Sequence, residues 1–401
     1  MKKISVNRMF LLIGMYGIFA NFAHPITPTF IQDLGLHDYM FGVAFASMAI
    51  TNFMFSPFWG KLSKSIGSVK ITGLCFIGYG VGQAMFGLST TELGIVFARL
   101  FAGFFIGGLM VNQMIYIMDN SPLEKRGKNL AISATISAVI SPFGFMIGGF
   151  LGDYSIPLTF TLQTIGLSFT GILYWLLLAD QPIEKRLDIK ETLKESNPFK
   201  IIVDARGIIT AVLVSFFIMA IATSFASTCY EQCFNYFIKD QYGFPPSYNG
   251  LLKALVGFVT LIANSTICMW LLKKTNINKS IIYVLMICLS MMISIILIND
   301  IVPFIIINVI FFGFNAVYLP LMQAILAKFA KHDDGVLIGL FNSMRSLGMV
   351  GGSLFAGFIY EVGPKLSFVS SGVAFAISVI FAIICYLQLK RQGDFAPAIS
   401  N

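Results

Sequence analysis

Between positions 207 and 237 the chain carries a single charged side chain, Glu231. A charge at bilayer depth costs about 2.5 to 3.5 kcal/mol on insertion scales, so an acid retained there points to function. Ser224, Ser227, Glu231 and Asn235 recur at helical spacing and draw one polar stripe on an apolar helix. Such a stripe faces water or a solute, and its carboxyl can exchange a proton. The competing role for Glu231 is a structural ion pair with Arg99. His24 stands 207 positions before Glu231 (231 − 24), on a stripe formed by Gly17, Asn21, His24 and Pro28. Its imidazole titrates near neutrality, which suits proton exchange as well as a plain helix–helix hydrogen bond. Pro25 and Pro28 interrupt backbone bonding in that helix and free carbonyls for ligands.

Other polar groups in apolar runs are few. Arg99 and Arg345 lie well inside such runs, so neither can face lipid. Arg345 would meet a substrate carboxylate or phosphate, or bond to carbonyls freed by nearby glycines. Asn112, Gln113, Asn315, Tyr318 and Gln323 offer neutral hydrogen-bonding groups for a cavity wall, and Lys253 is near enough to a span end to snorkel. All six cysteines occupy apolar runs. Cys229 and Cys233 are one turn apart but have no further ligand pattern, so no metal site and no disulfide framework are expected. Neither a nucleophile–base–orienter set nor a Walker loop occurs, which argues against an enzyme, a bound cofactor or ATP as the energy source.

The elements that must position these groups are membrane spans. A hydrocarbon core of about 30 Å takes about 20 helical residues. Apolar runs of that length fall near 9–31, 38–59, 71–90, 93–118, 130–152 and 157–179, and again near 207–237, 250–272, 280–298, 302–327, 336–359 and 366–388. The two sets are copies. Gly127, Gly144, Gly149, Phe150 and Asp153 return 208 positions later (335 − 127) as Gly335, Gly352, Gly357, Phe358 and Glu361, and Phe30-Ile31-Gln32-Asp33 answers Phe237-Ile238-Lys239-Asp240 at 207 (237 − 30). The expected fold is therefore an all-α membrane protein of twelve transmembrane helices in two pseudo-symmetric six-helix bundles. Its expected parts are 1–179, a cytoplasmic linker at 180–206, 207–388, and a cytoplasmic tail at 389–401. Duplication of this kind is typical of secondary transporters, whose substrate sites lie between repeats near the midplane.

Composition agrees, because 57% hydrophobic and 11% charged residues leave too little polar surface for a soluble globule of 401 residues. With Met1 inside, 22 of the 27 Lys and Arg fall in cytoplasmic segments. The positive-inside rule thus puts both termini in the cytoplasm. The +8 net charge is a topology signal dispersed over short loops, with no basic domain for nucleic acid. The first apolar run has no small-residue cleavage site and reads as a retained span. With 20 Lys against 7 Arg, the chain points to an AT-rich bacterial genome and so to a cytoplasmic membrane.

Several motifs resemble the major facilitator superfamily, in its twelve-span drug:proton antiporter branch. Pro25-x-x-Pro28 precedes Asp33-Leu34-Gly35, and the loop from Gly60 to Lys70 keeps the signature glycines Gly60 and Gly67, with Lys64 and Ser65 where an Asp-Arg pair is usual. Arg99-x-x-x-Gly103-x-x-x-Gly107 is similar to the arginine motif, and Pro142 with Gly144-x-x-x-Gly148-Gly149 to the antiporter glycine–proline motif, with Phe145 at the usual proline. The resemblance implies that the first and seventh spans flank a central cavity, with His24 and Glu231 facing each other across it and Arg99 influencing proton release. It also implies that Lys64 cannot supply the usual cytoplasmic latch. For each glycine, close helix packing is an equally good reason. The function implied is proton-coupled export of small amphipathic compounds by alternating access, carried out by a monomer. One buried Glu against Arg99, Arg345 and His24 favours neutral, zwitterionic or anionic compounds over lipophilic cations. An uptake symporter for a metabolite would use the same fold, and a sensor or scaffold that transports nothing is the alternative of another class.

Overall fold

The computed structural model describes residues 5–180, 196–197, 209–329 and 334–391. Apart from Asp180, Ser196 and Asn197, the expected linker lies outside the described residues, as does the tail beyond Arg391. Every extended element among the described residues is helical. Eleven helices are long and apolar enough to cross a membrane: Val6–Asp33, Met40–Ile66, Ser68–Leu88, Glu92–Asp119, Glu124–Tyr154, Ile156–Leu177, Ala211–Tyr242, Pro246–Lys274, Ile277–Leu297, Ile301–Phe329 and Leu366–Arg391. The helix Asp334–Val362 completes twelve and takes eleventh place in chain order. We number these spans first to twelfth.

Several helices outrun the apolar stretches that predict them. The fifth runs over Leu123–Tyr154, 32 residues, about 48 Å at 1.5 Å per residue. The extra turns are polar and include Glu124, Lys125 and Arg126, so the backbone stays helical past the hydrocarbon boundary. The first span breaks at positions 20–22 between helices Val6–Phe19 and Ala23–Asp33. Pro25 supplies the cause, because a proline ring clashes with the carbonyl four residues earlier, here that of Asn21. The seventh span has Gln232 and Asn235 in place of the two prolines and runs unbroken over Ala211–Tyr242.

Contacts divide the chain into two compact units, Met1–Pro198 with Asn235–Gly257, and Phe199–Phe234 with Phe258–Asn401. The last turns of the seventh span and the first turns of the eighth, up to Gly257, thus belong to the first unit. Specific bonds hold them there. Gln32 Nε2 donates to Asp240 Oδ1 at 3.1 Å, the Tyr236 hydroxyl donates to Asp38, and Asn249 Nδ2 donates to the Pro25 carbonyl at 3.3 Å. At the start of the eighth span the Ser247 amide donates to Asp153 Oδ1 at 3.0 Å. A carboxylate there meets both the unsatisfied amides and the positive end of the helix dipole.

Inside each unit the repeat reappears as one contact made twice. A Cβ on Gly144 would stand 2.4 Å from the Ile18 carbonyl, and one on Gly352 would stand 2.4 Å from the Phe225 carbonyl. The two pairs are related by 208 and 207 positions (352 − 144; 225 − 18). The neighbouring pair Gly17 and Ile140 has its counterpart in Ser224 and Gly348. Lipid offers no hydrophobic drive for helices to associate, so close backbone approach through small residues must supply the packing. The same reason covers Gly103 and Gly107 against Met48, Thr51 and Asn52, Gly148 against Phe22, and Gly149 against Pro246 and Gly250.

Two stability outcomes follow. Gly144→Leu and Gly352→Leu should each cost about 1 to 3 kcal/mol through overpacking, read as lowered thermal midpoints in detergent. Gly351→Ala, whose Cβ would meet only the Phe225 ring at 3.6 Å, should leave the midpoint in place. Asp153→Ala should destabilise by about 1 kcal/mol through loss of the cap on the eighth span, with Asp153→Asn retaining most of it. Equal effects of Ala and Asn would show that the carboxylate is no cap.

Candidate functional site

The polar stripe on the seventh span is formed as its spacing predicts. In the second unit Ser227 Oγ donates to Asn315 Oδ1 of the tenth span at 2.8 Å. Glu231 lies one turn further along the same face. The helix's other face is bound into the unit's interior: the Tyr230 hydroxyl donates to Asn308, and the Tyr230 ring packs on Phe311 and Phe312 with centroids at 4.2 and 5.2 Å. Cys229 Sγ donates to the Ser367 carbonyl at 3.4 Å. That fully buried aromatic side fixes the helix's rotation and so fixes where Glu231 projects. Its side chain is exposed. The physical reason is the size of its neighbours: Ser227 and Asn235, one turn to either side, are too short to cover it.

Other expected cavity groups of this unit sit at different depths. Tyr318 is buried, Asn315 half-buried and Gln323 exposed. Arg345 is half-buried, its guanidinium 5.7 Å from the Phe341 ring centroid, and its Nε has no partner among the described residues. Ser224 Oγ is likewise unpartnered. Both atoms are buried and leave a hydrogen bond unmade.

In the first unit the broken first span brings His24 against Phe145 of the fifth, edge to face with centroids 5.6 Å apart. Lys253 Nζ lies 5.4 Å from the centroid of the same ring. Phe145, which stands where a proline is usual, is thus the surface shared by His24 and Lys253. Pro142 is also a contact residue, since a Cβ on Gly257 would stand 2.3 Å from its ring. Asn21 Nδ2 donates to the Gly17 carbonyl at 2.7 Å, one turn back and at the helix break. Pro28 is buried within the helix that follows the break.

Arg99 is buried, with its guanidinium 3.6 Å from the centroid of Phe86 and Nη1 donating to Gln83 Oε1 at 3.5 Å. Among the described residues no carboxylate lies within 4.0 Å of it. Arg99 is therefore held by a ring face and an amide of the third span rather than by an ion pair. Asn112 is fully buried, its Nδ2 donating to the Gly108 carbonyl at 2.7 Å, while its Oδ1 and the Nε2 of Gln113 have no hydrogen-bond partner among the described residues. Asn235 is buried with its Oδ1 unpartnered.

The loop with Lys64 contains a group that motif matching missed. Asp180, just after the sixth span, accepts from the Val69 amide at 2.7 Å and the Lys70 amide at 3.4 Å. It caps the third span through Gly67, whose φ of +107° and absent Cβ admit the carboxylate at 2.4 Å from where a Cβ would stand. Lys64 is exposed, and a Cβ on Gly60 would touch Val111 at 3.0 Å. The only sequence signal for Asp180 was an acid ending an apolar run, which many loops share. All six cysteines are buried, and none is in a disulfide. Among the described residues no cluster of three His, Cys, Asp or Glu is placed to hold a metal.

The sequence profile of the Major Facilitator Superfamily matches residues 9–317. Multidrug resistance protein 2 of Bacillus subtilis is 24% identical over 411 residues, with all of both chains covered. Quinolone resistance protein NorA of Staphylococcus aureus is 22% identical over 372 residues, with 92% of each chain covered. Among solved structures, a bacterial homologue of the human lysosomal transporter Spinster superposes with a TM-score of 0.76 at 14% identity, covering 98% of each chain. The nucleoside transporter NupG superposes with a TM-score of 0.72 at 12% identity, covering 96% of this chain and 99% of its own. A twelve-span helical fold built on an internal repeat, a profile match over most of the sequence and full-length relatives lead to one assignment: the chain belongs to the Major Facilitator Superfamily.

Proposed function

We propose that the protein is a proton-coupled secondary transporter that exports small amphipathic compounds from a bacterial cell by alternating access, with both termini in the cytoplasm. The observation that carries this is the exposed carboxyl of Glu231 on a polar face shared with Ser227 and Asn315. An ionised group in the middle of a span must be hydrated or neutralised. A carboxyl accessible from a water-filled path can hold a proton when the path opens to one side and release it when the path opens to the other. Coupling to substrate follows if the proton and the compound compete for the same charged surface. His24 is the partner we assign to this exchange, and Arg99 sets the local field from its place on Phe86. A proton-driven exporter needs no cofactor. A monomer suffices, because one chain contains both units.

The relatives named for multidrug and quinolone resistance support export of drug-like compounds. The residues narrow the class. Arg345, with an unpartnered Nε, is suited to a carboxylate, which quinolones carry beside a basic amine. Asn315, Tyr318 and Gln323 on the tenth span, Asn21 on the first, Asn112 and Gln113 on the fourth and Asn235 on the seventh supply neutral polar contacts. Apolar and aromatic side chains can re-pack around ligands of different shape.

In proteoliposomes under an imposed pH gradient, Glu231→Gln should reduce uphill transport of a fluoroquinolone to the level of empty vesicles while downhill exchange persists. Gradient-driven movement that survives the substitution would remove Glu231 from the mechanism. Arg345→Gln should weaken fluoroquinolone binding by about tenfold or more, the worth of a hydrogen bond to a charged group, and leave ethidium binding unchanged. Equal losses for both compounds would place Arg345 in packing instead.

A further inference from the structure

Lys253 lies seven residues (253 − 246) into the eighth span, about 10 Å along the axis at 1.5 Å per residue. A cation at that depth is costly, and its retention points to function. Snorkelling to the lipid–water boundary is the course its sequence position allows, but the structure shows another. The eighth span turns Tyr248, Leu251 and Leu255 outward as exposed side chains. With side chains spaced by about 100° per residue, Lys253 projects about 170° from the middle of that stripe. It shares its face with Gly250 and Gly257 instead. A Cβ on Gly250 would stand 2.5 Å from the Phe145 carbonyl, and one on Gly257 would stand 2.3 Å from the Pro142 ring. That face is therefore pressed against the fifth span both before and after Lys253.

Between those two contacts the half-buried lysine ends on an aromatic ring, its Nζ 5.4 Å from the Phe145 centroid, within the range of a cation–π attraction. His24 meets the same ring edge to face, with centroids 5.6 Å apart. The ammonium is thus seated beside the group assigned to proton exchange and away from the helix's apolar stripe. A proline at position 145 would offer no π face. The residue that departs from the family pattern is therefore also the one that gives this cation its seat.

We propose that Lys253 is a specificity-determining residue: seated on Phe145, it puts a fixed positive charge on the wall of the transport path, which disfavours permanently cationic compounds and draws the anionic end of an amphiphile toward the first unit. The inference rests on the export reading above, which places proton exchange at His24, and adds to it the residue that sets the charge class of the compound. A fixed charge acts with opposite sign on cations and anions of one shape, whereas packing acts on both alike. That difference separates a field from a purely structural role.

Tetraphenylphosphonium and tetraphenylborate have the same shape and opposite charge, so the ratio of their affinities isolates the electrostatic part of binding. Both would be measured by equilibrium dialysis on the full-length protein in an uncharged detergent, where partition into micelles is common to every variant. Lys253→Met removes the charge and keeps a side chain of similar length. It should tighten the phosphonium and weaken the borate by about tenfold each, the effect of one unit charge at roughly 10 Å in a medium of intermediate polarity. Lys253→Arg, which keeps the charge, should keep the parent's ratio, as should Lys128→Met at an exposed position. Gain of phosphonium binding cannot come from misfolding, so the result reads clearly even if Lys253→Met lowers stability. A ratio unchanged by Lys253→Met, the same shift from Lys128→Met, or loss of both ions together would each overturn the assignment. A parent that binds neither ion would sink the export reading with it, whereas an unchanged ratio would leave that reading standing.

Discussion

The energetic cost of an ionised carboxyl at bilayer depth is the constraint on which the rest turns. Glu231 sits on the polar face of a helix whose other face is clamped by Tyr230 into an aromatic interior. Rotation of the helix would carry the acid toward that apolar side, so the Tyr230–Asn308 bond and the rings around it position the carboxyl from behind. The site is built by packing on one side of a helix and by absence of packing on the other. Arg99 shows the opposite solution, a buried cation satisfied by a ring face and an amide.

The duplicated architecture is preserved where backbones touch and has diverged at proline and polar positions. Gly144 on Ile18 and Gly352 on Phe225 are the same contact in two copies. Yet Pro25 breaks the first span while Gln232 leaves the seventh continuous, and the position of His24 in one copy is that of Glu231 in the other. The second and eighth spans diverge similarly. One carries Pro57 inside an unbroken helix, and a π-helical turn begins at Asn264 in the other, 207 positions on (264 − 57). Close packing tolerates only small residues, so it keeps the glycines in place, while polar positions are free to specialise.

Much of this was legible in the sequence because membrane spans and glycine crossings are periodic signals. Twelve apolar runs, the offset of about 207 and the polar stripe through Ser227 and Glu231 all have counterparts in the structure. The family resemblance likewise agrees with the profile match. How far Glu231 is exposed was not legible, because it depends on the size of Ser227 and Asn235 as neighbours and not on the identity of the acid. Capping of the third span by Asp180 was equally hidden, since it joins residues 111 positions apart and leaves no local pattern beyond the glycine that admits it. Phe145 read as a lost proline, whereas its ring is the common contact of His24 and Lys253.

The most direct test of the central claim is proton release on substrate binding. Purified protein in weakly buffered detergent would receive a fluoroquinolone while a pH-sensitive dye reports the solution, with binding followed in parallel by ligand fluorescence. If Glu231 gives up its proton when the compound arrives, the parent acidifies the medium on binding and Glu231→Gln binds without acidification. Equal proton release from both proteins, or binding to the parent with none, would contradict the account.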